Sequence, residues 1–235
     1  MLSLDHLPFY ETGESKELNM MRPFGPAIGN ITLPPIIMDD FNADVESKTK
    51  KIDWSHNLVG QVKEEFLISN EVLIKHSQFF SQIALNYVKD YSGRHCKPAN
   101  KNIRPVVHIN SAWYVRQYEN EFNPTHIHTN CELSAIGYLK LPDGIEKEWE
   151  EDKDHHPVRG HVEFQHGTSS ILNKCLFPVR PKAGEFFIFP ADLFHSVYPF
   201  KTQGERRSFS MNITLREERL QDEKQEGLSP QNDKK

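Results

Sequence analysis

Apolar positions along this chain change their period near residue 100, and the change divides it. From Val72 to Tyr91 the residues Val72, Leu73, Phe79, Phe80, Ile83, Ala84, Tyr87 and Val88 recur mostly at three- and four-residue intervals. That spacing predicts a helix with one apolar stripe, packed on a sheet. From Arg104 onward the period is nearer two, with strand patterns at Val106–Tyr118 and Leu133–Leu141, a short buried strand at Phe186–Phe189 bounded by Pro190, and turns marked by Gly184 and Gly204. Many short strands predict two packed antiparallel sheets, a jelly roll. The fold class is therefore mainly β with N-terminal helices (α+β).

Residues 1 to about 57 mix prolines, glycines and short apolar runs such as Ile31–Met38, which predicts loops with one or two strands. The expected organisation is an N-terminal extension over 1–103 whose helix packs on the core, a β core over 104–216, and a polar, disordered tail over 217–235. A charged insertion at 143–159 is too polar for core and long enough for a lid. Its adjacent His155 and His156 make a poor chelate.

Alternation assigns faces on two strands. In Arg206–Ile213, Phe209, Met211 and Ile213 share one face, and Arg206, Ser208, Ser210 and Asn212 the other. The polar face suits a small anion, because a guanidinium pairs bidentately with a carboxylate and a hydroxyl two residues on can donate to the same group. It equally suits the wet side of an edge strand. In Val106–Tyr118, Asn110, Tyr114 and Arg116 share a face that looks either into a site or to solvent.

The stretch Pro124-Thr-His-Ile-His128 carries the sharpest chemistry. On a strand, His126 and His128 project to one side, so two imidazoles can reach one ion. His195, on the strand after the Phe186–Phe189 run, is the candidate third ligand for a redox metal, which needs at least three with positions left open. The bland alternative is three unrelated histidines in a chain that has 12.

Composition narrows the class without naming a substrate. A formal charge of −5 and a pI near 6.2 offer no general attraction to nucleic acid or anionic membranes. Neither an apolar span nor a signal-peptide pattern is present, so a cytoplasmic protein is expected. Cys96, Cys131 and Cys175 are odd in number and widely spaced, which favours reduced thiols. Phosphate-binding glycine loops and serine nucleophile elbows are absent.

Taken together, the ordered motifs Pro-Thr-His-Ile-His at 124–128, Leu-Ser-Ala-Ile-Gly-Tyr-Leu at 133–139, Lys-Ala-Gly-Glu-Phe-Phe-Ile-Phe-Pro at 182–190, His195, and Glu-Arg-Arg-Ser-Phe-Ser-Met-Asn at 205–212 resemble the iron(II)/2-oxoglutarate-dependent oxygenases. The resemblance is to a bacterial and phage group related to prolyl hydroxylases, and it spans about residues 104–216. It implies a cupin-like double-stranded β-helix, Fe(II) as metal and 2-oxoglutarate as cosubstrate. By the same resemblance His126, His128 and His195 hold the metal, while Arg206 and Ser208, with Tyr138, hold the distal carboxylate. Asn110, Arg116 and Asn212 are candidates for the substrate or for support of the ligands. Dioxygen and a small-molecule or peptidyl substrate would be the partners, with a homodimer as the default assembly, and hydroxylation with release of succinate and carbon dioxide the expected reaction.

One residue departs from the family pattern. His128 stands where most relatives have Asp or Glu, which leaves the metal centre one unit more positive. A 2-oxoglutarate-independent three-histidine dioxygenase of cupin type therefore stays open, as does a non-catalytic jelly-roll protein. Glu163, in Gly-His-Val-Glu-Phe at 160–164, is the carboxylate to watch, and Asp192 is expected in a turn.

Overall fold

The structure, a computed structural model, describes residues 18–21, 25–95, 103–151, 158–172 and 174–219. Expectations for Cys96, for His155 and His156, and for the tail beyond Arg219 lie outside them. Among the described residues eleven strands form two antiparallel sheets: β1 (Asn19–Met21), β2 (Ile28–Thr32), β3 (Glu64–Leu67), β4 (Ile103–Gln117), β5 (Asn123–His126), β6 (Leu133–Lys140), β7 (Val162–Gln165), β8 (Leu176–Val179), β9 (Glu185–Pro190), β10 (Phe194–Val197) and β11 (Arg206–Arg219). The larger sheet has the order β1-β2-β9-β6-β11-β4-β3, and the smaller β5-β10-β7-β8. This is the expected jelly roll, and the larger sheet takes β1, β2 and β3 from before residue 104.

Two helices cover the outer face of the larger sheet. Helix α1 (Pro35–Glu46) starts on Pro35, whose fixed φ suits the first helical turn. Helix α2 (Asn70–His95) extends the predicted segment at both ends. Its stripe of Phe79, Phe80, Ile83, Ala84 and Tyr87 is buried against Phe41 of α1 and against Tyr114, Phe186 and Phe209 of the sheet. Burying each large apolar side chain contributes roughly 1.5–3 kcal/mol, so this layer supplies much of the fold's stability. A second core between the sheets joins Ile136, Tyr138, Val162, Phe164, Phe187 and Phe189.

β11 sits at the centre of the larger sheet, paired with β4 on one side and β6 on the other. Phe209, Met211 and Ile213 face the helices, as alternation predicted. Its polar face is not the wet side of an edge strand, because both neighbours are hydrogen-bonded to it. Arg207, on the helix-facing side, donates to Glu205 through Nε at 2.7 Å and to Asn42 at 2.9 Å, and pairs with Glu46, clamping α1 to the sheet.

The 143–159 insertion differs from the expected lid. Its described part holds a short helix, α3 (Glu146–Glu151), anchored rather than loose. Glu148 accepts from the Lys201 backbone N–H at 2.8 Å, Trp149 Nε1 donates to the Arg159 carbonyl at 2.8 Å, and Ile145 is fully buried. In the described part, Glu148 is the charge that anchors the segment.

Gly137, on β6 opposite Phe209, is required by close approach, because a Cβ there would overlap the Phe209 ring. Gly137→Ala is expected to cost about 1–3 kcal/mol through overpacking. Urea unfolding would show this as a lower midpoint, and Phe209→Leu in the same chain should recover part of the loss.

Candidate metal centre

β5 and β10 pair so that His126 and His195 are direct cross-strand partners. His128 lies two residues beyond, past the end of β5, where its backbone N–H donates to the Ala191 carbonyl at 2.9 Å. One ring nitrogen from each of the three lies within 4.8 Å of the others. Among the described residues this is the group able to hold a metal ion, and it contains the three histidines expected from the sequence.

Each imidazole is oriented through its other nitrogen. Nδ1 of His126 is 2.7 Å from the Pro124 carbonyl, Nδ1 of His195 is 2.9 Å from the Leu193 carbonyl, and Nδ1 of His128 is 2.7 Å from Asn212 Oδ1. A carbonyl can only accept, so the two carbonyl-bound rings carry their proton on Nδ1 and present a bare Nε2; the amide oxygen does the same for His128. His128 Nε2 and His195 Nε2 are then 3.3 Å apart with lone pairs facing, an arrangement a cation would relieve. Burial holds all three below the usual histidine range, His128 down to about 4, so neutral rings suited to metal ligation prevail at pH 7. The Trp113 indole stacks on His128 with centroids 5.8 Å apart.

The histidines open into a cavity of about 260 Å³ that also reaches Arg206, Ser208, Ser210 and Asn212. Arg206 is 1% exposed. Its Nη1 donates to Gln117 Oε1, and its face lies over the Tyr138 ring with Cζ 5.0 Å from the centroid. Nε and Nη2 make no hydrogen bond, and neither does the buried Tyr138 hydroxyl behind them. A buried guanidinium with its bidentate edge unpaired is costly unless an anion completes it. The arrangement can hold a small carboxylate a short way from a metal.

Several expectations need correcting. Asn110 does not reach the cavity: it donates to the Asn130 carbonyl at 3.0 Å and pairs with Thr214, bracing a loop. Arg116 is bound to Glu205 at 2.7 Å and Glu64 at 2.6 Å. Tyr114 faces neither the site nor solvent and instead donates to Asp44 of α1 at 2.9 Å. The cavity is served by the opposite face of β4, where Ser111, Trp113, Val115 and Gln117 lie. Alternation gives this strand two faces, and the alternate residues Ser111, Trp113, Val115 and Gln117 are the signal for the one that turns inward. Glu163 is buried but accepts from Tyr198 Oη at 2.9 Å, while its neighbour Phe164 is the side chain that faces His195. It therefore points away from the histidines. Asp192 is exposed in a turn, as expected.

Residues 111–212 match the family model described as "Putative 2OG-Fe(II) oxygenase". That stretch contains all three histidines and Arg206. No curated protein matches the chain. Among solved structures, HygX from Streptomyces hygroscopicus, crystallised with nickel, 2-oxoglutarate and hygromycin B, is 11% identical with a TM-score of 0.50, covering 80% of this chain and 82% of its own. A prolyl-4-hydroxylase from Pseudomonas putida is 13% identical, covering 83% and 93%, with a TM-score of 0.46. A prolyl hydroxylase from Trichoplax adhaerens in complex with a hypoxia inducible factor peptide fragment is 11% identical, covering 80% and 83%, with a TM-score of 0.49. The likeness to HygX is one of fold, the double-stranded β-helix.

The depressed histidines give a pH dependence. Between about pH 4 and 6.5 the unfolded chain binds more protons at His128 than the folded one, so stability rises with pH and is lost on acidification. The effect is at most about 1.4 kcal/mol per pH unit for one group. Glu65, raised to about 7, works in the opposite direction over an overlapping range. Comparing His128→Gln with the wild-type apo protein isolates the histidine: urea midpoints at pH 7 and pH 5 should differ less in the variant.

Proposed function

We propose that the protein is an iron(II)- and 2-oxoglutarate-dependent dioxygenase in which His126, His128 and His195 hold the metal and Arg206, with Ser208, holds the distal carboxylate of 2-oxoglutarate. The observation that carries this reading is the unpaired Nε and Nη2 edge of buried Arg206, in the same cavity as three converging imidazoles. Iron(II) and 2-oxoglutarate are the cofactors of the matched family. When bound they supply oxidative decarboxylation, consuming dioxygen, releasing succinate and carbon dioxide, and placing an oxygen atom in a C–H bond of the substrate.

The chain's own residues do the positioning. Gln117 holds Arg206 from one side and the Tyr138 ring supports it from beneath, so the fork is aimed before any ligand arrives. Asn212 orients His128 in the same way. Ile136, Val162 and Phe189 line the cavity with apolar surface that excludes water. With three neutral imidazoles in place of two and a carboxylate, the centre carries one more positive charge, which strengthens its hold on an anionic chelate. The substrate belongs to the small-molecule or peptidyl kinds seen with HygX and the Trichoplax enzyme.

Anaerobic titration of the apo protein with iron(II) and then 2-oxoglutarate tests this through the weak visible charge-transfer band of the chelate. The wild type should show the band. Arg206→Ala should weaken 2-oxoglutarate binding by about tenfold or more, equivalent to at least 1.4 kcal/mol, and His195→Ala should abolish stoichiometric iron. Iron without the band would favour the three-histidine dioxygenase, and no iron would sink the enzyme reading.

A further inference from the structure

On the wall of the cavity formed by β3 and the loop before it stands Glu65, a residue the oxygenase reading does not use. It is 2% exposed, and both carboxylate oxygens are buried without a hydrogen-bond partner. Its surroundings are apolar or acidic: Val62, Trp113 and Val115 form a small core with Trp54, Leu58 and Leu67, and the nearby charges are those of Glu121 and Asp53. Burial first, and then these two carboxylates, push Glu65 up to about 7. A leucine or methionine would suit such a place better on stability alone, since a buried carboxyl without a partner costs several kcal/mol by transfer arguments.

The chain comes close to the carboxylate at Gly60. A Cβ on Gly60 would stand 3.0 Å from Glu65 Oε1 and 2.7 Å from Asn123 Oδ1, so any larger residue there would crowd both groups. Glu65, Asn123, Trp54 and Trp113 all line the cavity that holds the three imidazoles. Among the described residues this wall offers oxygen acceptors and aromatic surface, the complement of an organic cation.

We infer that Glu65 is a substrate-binding residue whose carboxylate receives an ammonium or guanidinium group, with the Trp54 and Trp113 indoles along the attached carbon chain. The substrate class is then a basic amine or guanidine, oriented with its charged end on β3 and its carbon chain leading toward the histidines. Calling the ligand a substrate rests on the oxygenase reading, whereas its charge and chemistry rest on this wall alone.

The test uses full-length apo protein at pH 8, where Glu65 is ionised, and four probes of matched length: n-butylammonium, n-butylguanidinium, n-butanol and butyrate. Saturation-transfer NMR should show the two cations bound and the alcohol not bound, with any butyrate signal arising at Arg206 and therefore unchanged in Glu65→Gln. Glu65→Gln, the same size without the charge, should weaken cation binding about tenfold or more, while Glu65→Asp keeps the preference for cations with lower affinity. Equal binding of butanol and the cations, or undiminished cation binding in Glu65→Gln, would overturn the assignment. If Glu65→Gln does not fold, the ranking of the two cations over butanol on the wild type and on Glu65→Asp still decides. No iron or 2-oxoglutarate is present, so failure of the iron titration leaves this result standing, and failure here leaves the cofactor assignment untouched.

Discussion

The two-residue period of β11 is the constraint on which the rest of the molecule depends. Because both of its edges are hydrogen-bonded, to β4 and to β6, the strand cannot rotate or slip, and each side chain is committed to one of two layers. Arg207 and Phe209 go to the helices, where they meet Glu46 and Phe41. Arg206, Ser208, Ser210 and Asn212 go to the cavity. A one-residue slip would send the cavity arginine to α1 and a phenylalanine to the histidines.

The consecutive arginines show how the two layers stay electrically distinct. Arg207 is enclosed by Glu205 and Glu46, and Glu205 also holds Arg116. Burial of Glu205 would raise its pKa, but the two guanidiniums outweigh that and bring it to about 2. The positive charge on the helix side is thus compensated, whereas on the cavity side Arg206 has only the amide of Gln117 and the face of Tyr138. The surplus charge of the sheet is presented where an anion can reach it.

How much of this could be read from the sequence follows from which features are local. The helix expected over 72–91 and the alternation of β11 are local patterns that appeared where their spacing placed them, and the His-X-His pair converges as well although His128 lies past the end of β5. What escaped were facts about which of two faces turns inward. β4 shows polar residues on both faces, and the face bearing Tyr114 and Arg116 turned out to be the helix side because α1 supplies Asp44 and the sheet's own neighbours supply Glu64 and Glu205. Gln117 and Trp113 were invisible as site residues for the same reason. Glu65 could not be read at all, since a glutamate in a short strand is ordinary until its burial and lack of a partner are known. The charged insertion misled because charge suggested solvent, while Glu148 in fact caps backbone N–H groups at 201 and 202.

The three imidazoles are steered by unlike partners, and the difference bears on how such a centre can evolve. Two of the rings are held by main-chain carbonyls, of Pro124 and Leu193, which no substitution removes without refolding the strand. The third is held by the side chain of Asn212, which a single codon change can replace. Two corners of the triangle are therefore written into the backbone and inherited with the fold, and the corner at His128 is the one left adjustable.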